Sequence, residues 1–314
     1  MFTYSGSGPY CYTHAMAMAM GSAAPAPAVI ETLTGSPFGM HLLGGTLPLF
    51  DPLGWDPEAG IDAALGLLGW ECARDAGGTA EQALDRLRKA AAPGPVVVGP
   101  VDMGLLLYQP GTPWPRSGDD TDAADHYVVV VEVSDDTVVL HDPHGHPFAT
   151  LPVPAFLAAW RAESVPYTDE PYIMRHSFTR DHVVDERDAL RAMLPRAVAW
   201  LDGTGRGPAG SVHGAEAARA LAERVRQGLA PHLRSFLEVF AVRVGARRLA
   251  DASGCLTRLG LADAAAVAAD QARVLGGLQY PLVTGDDHAL ASGLLRLAPL
   301  YGHLRTELAR ALAD

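Results

Sequence analysis

Three residues of the types that form a nucleophilic catalyst are spread over the first half of the chain. Cys11 lies near the start, His126 opens a β-branched run, and Asp142 closes the next such run. The two runs flank a short polar segment at 134–137, and this pattern predicts a β-hairpin. Antiparallel pairing would bring His126 and Asp142 to the same end of that hairpin. Because a carboxylate fixes the tautomer of a neighbouring histidine and stabilises its imidazolium, the pair predicts an oriented general base.

Cys11 is the predicted nucleophile for this base. A Gly/Ser/Pro-rich loop precedes it and a helix-forming run of Ala and Met follows it, which places Cys11 at a helix N-terminus. Such a position favours a thiolate and can also hold an oxyanion. The order cysteine, histidine, then Asp or Asn is the papain-like order. The chain contains no asparagine, so Asp142 is predicted as the third member; the alternative interpretation is a plain core hairpin.

Metal binding is the other chemistry that these residue types allow. Cys11 lies close to His14, but Cys72 and Cys255 have no ligand-rich neighbours, which argues against a zinc site. A second candidate is the histidine cluster His141, His144 and His146. The stretch 142–147 is more simply interpreted as a turn. We therefore predict neither a metal nor a cofactor.

Composition narrows the classes of partner. The chain has 314 residues, 48% of them hydrophobic, and a formal net charge of −12, which argues against nucleic acid or an anionic membrane as partner. No apolar run approaches the roughly 18 residues of a membrane span, and no basic region opens a secretory signal. Three scattered cysteines do not form a disulfide framework. These features together predict a cytoplasmic protein with reduced thiols.

The pattern of the chain changes near residue 180. Before it, a Thr79–Gln82 capping box predicts a helix over 80–92, a Val-rich run predicts a buried strand over 94–100, and 172–175 is predicted to be an edge strand. After it, strand signals disappear and helical periodicity continues to the end. We predict an α+β domain over residues 1–179 and an all-helical domain over 180–314. The predicted helices of the second domain are 186–201, 214–229, 232–251, 262–278 and 287–312.

Three arginines of the helical half, Arg243, Arg247 and Arg248, suggest a contact with an acidic partner. A solvated helix face is the simpler interpretation of the same residues.

Residues 1–178 resemble the N-terminal domain of the butirosin-biosynthesis protein H-type acyltransferases and, more distantly, the bacteriocin-processing papain-like peptidases. The matching features are Cys11 at the start of a helix, the 94–102 strand, the Asp125-His126-Tyr127 motif and the His141-Asp142-Pro143 motif. The resemblance implies a papain-like fold and specialised-metabolism chemistry. In that chemistry a cysteine takes an acyl group from an acyl or peptidyl carrier protein and passes it to a small amine. The helical half resembles the partner domain that often follows.

The chain departs from the papain-like proteases before the cysteine, where no glutamine is present to donate to an oxyanion. Backbone N–H groups with Ser5 or Ser7 are predicted to serve instead, and a thioester needs less help because it is already activated. The predicted substrate-binding residues are Ser5, Ser7, Tyr10, Asp102 and Tyr127, although Asp102 also fits a turn position. A cysteine peptidase or amidase and a non-enzymatic binding protein on the same scaffold are the alternative functions.

Overall fold

The computed structural model describes residues 3–6, 8–109 and 125–313, and it combines antiparallel sheets with a helical C-terminal region. The strands are β1 His41–Leu43, β2 Leu47–Leu49, β3 Trp70–Asp75, β4 Val96–Asp102, β5 Asp125–Val133, β6 Thr137–Asp142, β7 His146–Pro152, β8 Met174–Arg180 and β9 Val212–His213. The helices are α1 Cys11–Met20, α2 Pro27–Thr34, α3 Pro57–Leu68, α4 Ala80–Ala91, α5 Val153–Trp160, α6 Glu186–Leu201, α7 Gly214–Gln227, α8 Pro231–Phe236, α9 Val242–Leu259, α10 Ala262–Gly276, α11 Gln279–Thr284 and α12 Asp287–Ala313.

The chain divides into two compact units, and the division differs from the predicted domains 1–179 and 180–314. The first unit comprises Met1–Pro27 and Gly69–Val183, and the second comprises Ala28–Leu68 and Val184–Asp314. The change of pattern near residue 180 therefore coincides with a boundary. The segment 28–68 belongs to the second unit because its apolar side chains, such as Met40, Leu42 and Phe50, share a core with the C-terminal helices.

The first unit is built on an antiparallel sheet with strand order β3-β8-β4-β5-β6-β7. The predicted hairpin is confirmed as β5 and β6, joined at 134–136. The predicted edge strand is wrong in both extent and place, because β8 lies between β3 and β4. Alternate residues of β4, β5 and β6 are apolar and build a core with α4 and α5, in which Trp160 and Phe156 are fully buried.

Helix α4 shows how local sequence sets an element of this unit. Thr79 caps it through a hydroxyl that accepts from the backbone N–H of Gln82, while the Gln82 side chain accepts from the Thr79 N–H. The capping box predicted from the sequence is therefore confirmed, and it satisfies two N–H groups that a helix start leaves without a partner.

The second unit is mainly helical but not wholly so. Helix α9 packs against α10, and α12 packs against α7 and α10, around a Leu- and Ala-rich core. The short strand β9 pairs with β1, which in turn pairs with β2. The expectation of an all-helical region after residue 180 is therefore corrected at Val212–His213. Among the described residues, no helix is both long and apolar enough to cross a membrane.

A buried charge cluster ties the two segments of the second unit together. The Arg248 guanidinium pairs with the carboxylates of Glu31 at 2.8 Å and Asp51 at 3.0 Å, and all three residues are buried. The guanidinium also lies over the Trp55 ring, 5.2 Å from its centroid. A buried arginine needs carboxylates close by to offset the loss of hydration, and Glu31 and Asp51 fill this role for Arg248. Arg248 is therefore not available to bind an acidic partner protein, contrary to the suggestion from the sequence.

Candidate active site

The hairpin of β5 and β6 brings His126 and Asp142 into contact. The Nε2 atom of His126 lies 2.6 Å from Oδ1 of Asp142, which confirms the predicted hydrogen bond. The His126 side chain is 5% exposed and that of Asp142 is fully buried. A histidine next to a buried carboxylate donates an N–H hydrogen bond to it, so the Nε2 atom of His126 carries a hydrogen. The Nδ1 atom is left for a second partner.

The Cys11 thiol lies close enough to the His126 side chain to help raise the pKa of the imidazole. Cys11 is the first residue of α1, as predicted, and it is partly exposed. The residue before it, Tyr10, adopts a left-handed conformation with φ 79° and supplies no side-chain cap. The helix start therefore places the positive end of the helix dipole beside the sulfur.

Electrostatic interactions favour the charged forms of His126 and Asp142. Burial alone would lower the pKa of the His126 imidazole, but the charge of Asp142 and the contacts with Asp142 and Cys11 raise that pKa well above its ordinary value. Burial alone would raise the pKa of the Asp142 carboxyl, but the charge of His126 and the hydrogen bonds from His126, the His144 N–H and Tyr108 hold it well below its usual range. The pair is therefore a carboxylate and an imidazolium.

Asp142 has further hydrogen-bond partners that the sequence did not reveal. The backbone N–H of His144 donates to Oδ1 at 2.7 Å. The Tyr108 hydroxyl donates to Oδ2 at 2.8 Å and the Gln109 amide donates to the same oxygen at 2.5 Å. Tyr108 and Gln109 precede Asp142 by more than thirty residues and carry no motif, so only a three-dimensional arrangement identifies them.

The predicted substrate-binding residues near Cys11 have other partners. The Ser5 hydroxyl lies 2.9 Å from Nδ1 of His14, and its predicted contact with an oxyanion stays a prediction. Tyr10 is 3% exposed and forms the turn into α1, and its predicted substrate contact stays a prediction. Ser7 lies outside the described residues.

The other two predicted substrate-binding residues have structural positions. Asp102 accepts from the Gly104 N–H at 2.9 Å and from the Ser164 hydroxyl at 2.7 Å, so it acts as the cap of a short 3₁₀ turn. Tyr127 is fully buried, and its ring packs edge-on against Tyr12 with centroids 5.9 Å apart. Because side chains alternate along a strand, the Tyr127 and His126 side chains lie on opposite faces of β5, and the Tyr127 ring packs against α1. Its predicted substrate contact stays a prediction.

No group of three or more metal-ligating side chains is found within residues 3–6, 8–109 and 125–313. The histidines considered as ligands pack against aromatic rings: His141 against Phe148 at 4.4 Å and His146 against Tyr108 at 5.4 Å between centroids.

Comparison with known proteins gives one family match and one curated relative. Residues 208–309 match the YobF C-terminal domain. Over 175 residues, or 53% of the chain, the sequence is 29% identical to a protein named "Uncharacterized protein YobF" from Bacillus subtilis (strain 168). The chain spans about half the length of this curated relative, 53%. The matched domain lies within the second unit and contains none of Cys11, His126 and Asp142.

Proposed function

We propose that the chain is a cysteine-dependent acyltransferase that moves an acyl or aminoacyl group from a carrier-protein thioester to a small amine. The observation that carries the proposal is that His126 is hydrogen-bonded to Asp142 and interacts with the Cys11 thiol. An activated nucleophile, its base and the group that orients the base are the three parts that covalent acyl transfer requires.

The reaction follows from these parts in two halves. The Cys11 sulfur attacks the thioester carbonyl, and the C–S bond to the carrier breaks as the acyl–Cys11 bond forms; the departing thiolate takes the proton held by His126. The amine then attacks the acyl–Cys11 carbonyl, His126 accepts the amine proton, and the Cys11 thiolate leaves. The sum is a thioester and an amine giving an amide and a thiol, with no change of oxidation state.

The arrangement in the first unit supports a papain-like scaffold for this chemistry. Helix α1 carries the cysteine and packs against β5, whose first residues include the histidine, and β6 ends on the aspartate. A general acid–base series of this kind also serves amide hydrolysis. The missing glutamine donor near Cys11 favours thioester substrates, because a thioester carbonyl is more easily attacked than an amide.

Acyl-enzyme trapping tests the proposal. The chain is incubated with acetyl-, hexanoyl- and glycyl-N-acetylcysteamine, and intact-protein mass spectrometry measures the mass added. We expect an adduct that maps to Cys11, is absent from Cys11→Ala, persists in the matched control Cys72→Ser and disappears when an amine is added, with amide as product. Peptide cleavage without thioester turnover would support a peptidase instead, and the absence of any adduct or turnover would support the binding-protein alternative.

A further inference from the structure

Both oxygens of the Asp142 carboxylate are fully engaged by donors. A carboxylate has two oxygens with about four acceptor sites. Oδ1 accepts from His126 and from the His144 N–H, and Oδ2 accepts from Tyr108 and Gln109, at 2.5–2.8 Å. Asp142 itself is fully buried. A proton placed on either oxygen would therefore point at a group that already donates.

The donors on Asp142 decide between the two forms that a buried His–Asp pair can take. In one form the proton is on histidine and both groups are charged; in the other it is on aspartate and both are neutral. Burial favours the neutral form, and hydrogen bonds donated to the carboxylate favour the charged form. Only the charged form presents an imidazolium to the Cys11 thiol.

The two donors on Oδ2 remain donors across the working pH range. Burial and the nearby charge of Asp142 raise the pKa of the Tyr108 hydroxyl far above its ordinary value, so it keeps its proton. The Gln109 amide does not titrate and is 8% exposed. Because rotation about the last bond of an aspartate is broad, a pair of donors on one oxygen also fixes the direction of the other oxygen toward His126.

We infer that Tyr108 and Gln109 are positioning residues of the proposed reaction, which hold Asp142 ionised and aim its Oδ1 at His126. The inference rests on the proposed function. Other titratable groups face the same site from several elements: the Tyr4 hydroxyl, which donates to the Asp142 backbone carbonyl at 3.0 Å, the Cys11 thiol on His126, the His144 ring 6.0 Å from His126 and the His146 ring beside Tyr108. None of these donates to Oδ2 among the contacts of the described chain, which separates their effects from those of Tyr108 and Gln109.

The test measures the pH dependence of Cys11 alkylation by iodoacetamide, which requires no knowledge of the substrate. The variants are Tyr108→Phe, which removes the hydroxyl and keeps the ring, and Gln109→Met, which removes the amide and keeps the length. Since each loses a hydrogen bond to a charged group, we expect the acid limb of the alkylation profile to move upward by about one pH unit for each donor removed.

The matched control is Tyr167→Phe. The Tyr167 hydroxyl also donates to a carboxylate, that of the partly buried Asp125 at 2.7 Å, and forms no hydrogen bond with Asp142 among the described contacts. We expect it to lower the melting temperature and leave the acid limb in place. If Gln109→Met does not fold, Gln109→Glu brings a second carboxylate against Asp142 and should move the acid limb the same way, because two adjacent carboxylates share a proton.

The outcomes distinguish this inference from the proposed function. A wild-type Cys11 that alkylates no faster than free cysteine overturns both. A reactive wild-type Cys11 with variants whose acid limb coincides with it, even when their melting temperatures fall, overturns the positioning role and leaves the proposed function standing.

Discussion

Replacing Asp142 with asparagine removes the charge of the candidate site and almost nothing of its shape. The new amide nitrogen brings donors to a place where the neighbours also donate. On the Oδ1 side it would oppose the His144 backbone N–H, which cannot turn. On the Oδ2 side it meets the Tyr108 hydroxyl, which can rotate to accept, and the Gln109 amide, which can flip. We therefore expect the amide nitrogen of Asp142→Asn on the Oδ2 side, so that His126 keeps an acceptor and its tautomer.

The expected loss of reaction rate follows from this orientation of the amide. In a serine triad the same substitution costs about 10⁴-fold because the histidine takes the wrong tautomer. Here the loss is that of a charge-assisted hydrogen bond, about 1.5–3 kcal/mol, which corresponds to roughly 10- to 150-fold. We expect the rate of acyl-enzyme formation at Cys11 to fall by about two orders of magnitude, as measured by intact-protein mass spectrometry over time.

The difference in the free energy of unfolding between wild type and Asp142→Asn should depend on pH. The depressed pKa of Asp142 makes its contribution fully present above the ordinary aspartate value of about 3.9, and the contribution is lost as the pH falls toward the depressed value. The raised pKa of His126 makes its contribution fully present below about 6.5, and this is lost as the pH rises through the raised value. The free energies of unfolding of wild type and variant, measured with a denaturant, should therefore differ most between these two pH limits and become equal in strong acid.

The matched control is Asp75→Asn, which makes the same change in another His–Asp pair of the first unit, where Asp75 lies 2.9 Å from Nε2 of His176. This pair does not contact Cys11 or Asp142 in the described part of the chain. Equal losses of rate in the two variants, or a loss below threefold in Asp142→Asn, would refute the electrostatic reasoning.

Three further predictions concern single residues. Brief iodoacetamide exposure should label Cys11 before Cys255, since Cys255 is buried and burial raises the pKa of its thiol; peptide mapping that finds label first on another thiol would contradict the nucleophile assignment. Arg248→Ala removes the counter-ion of two buried carboxylates and should lower the free energy of unfolding by about 3–5 kcal/mol in urea. Gly99→Ala places a methyl group 2.3 Å from the Tyr127 ring and should cost about 1–3 kcal/mol in thermal unfolding.

Two of these predictions have direct controls. Arg243→Ala removes an exposed arginine of the same helix as Arg248 and should change the free energy of unfolding by less than about 0.5 kcal/mol. Gly94→Ala adds a methyl group where no atom lies within 4 Å, so a melting temperature that falls as far as in Gly99→Ala would show that steric contact with Tyr127 is not the cause.

The sequence predicted those parts of the fold that local pattern determines. The hairpin of β5 and β6 follows from two β-branched runs around a polar turn, and its ends bring His126 to Asp142 whatever the surrounding topology. Helix α6 begins and ends where predicted, and α4 begins at its capping box. Periodicity and caps are local signals, so they survive without knowledge of tertiary contacts.

Long-range pairing could not be predicted in the same way. The position of β8 between β3 and β4 and the pairing of β9 with β1 depend on partners far away in sequence. The contact of Gln109 with Asp142 is of the same kind, because a glutamine beside a loop has no periodicity or motif to mark it. Strand pairing and side-chain networks are set by the whole chain, and no window of sequence contains them.

Each unit is made of two segments that alternate along the chain, and this order affects both synthesis and truncation. The 28–68 segment leaves the ribosome between the two parts of the first unit, long before the C-terminal helices that share its core. The first unit can therefore be completed while this segment still lacks its partners. A fragment cut to residues 208–309, the range of the domain match, would retain Arg248 but lose Glu31 and Asp51, and β9 would lose β1. A fragment for expression should accordingly carry 28–68 joined to 184–313.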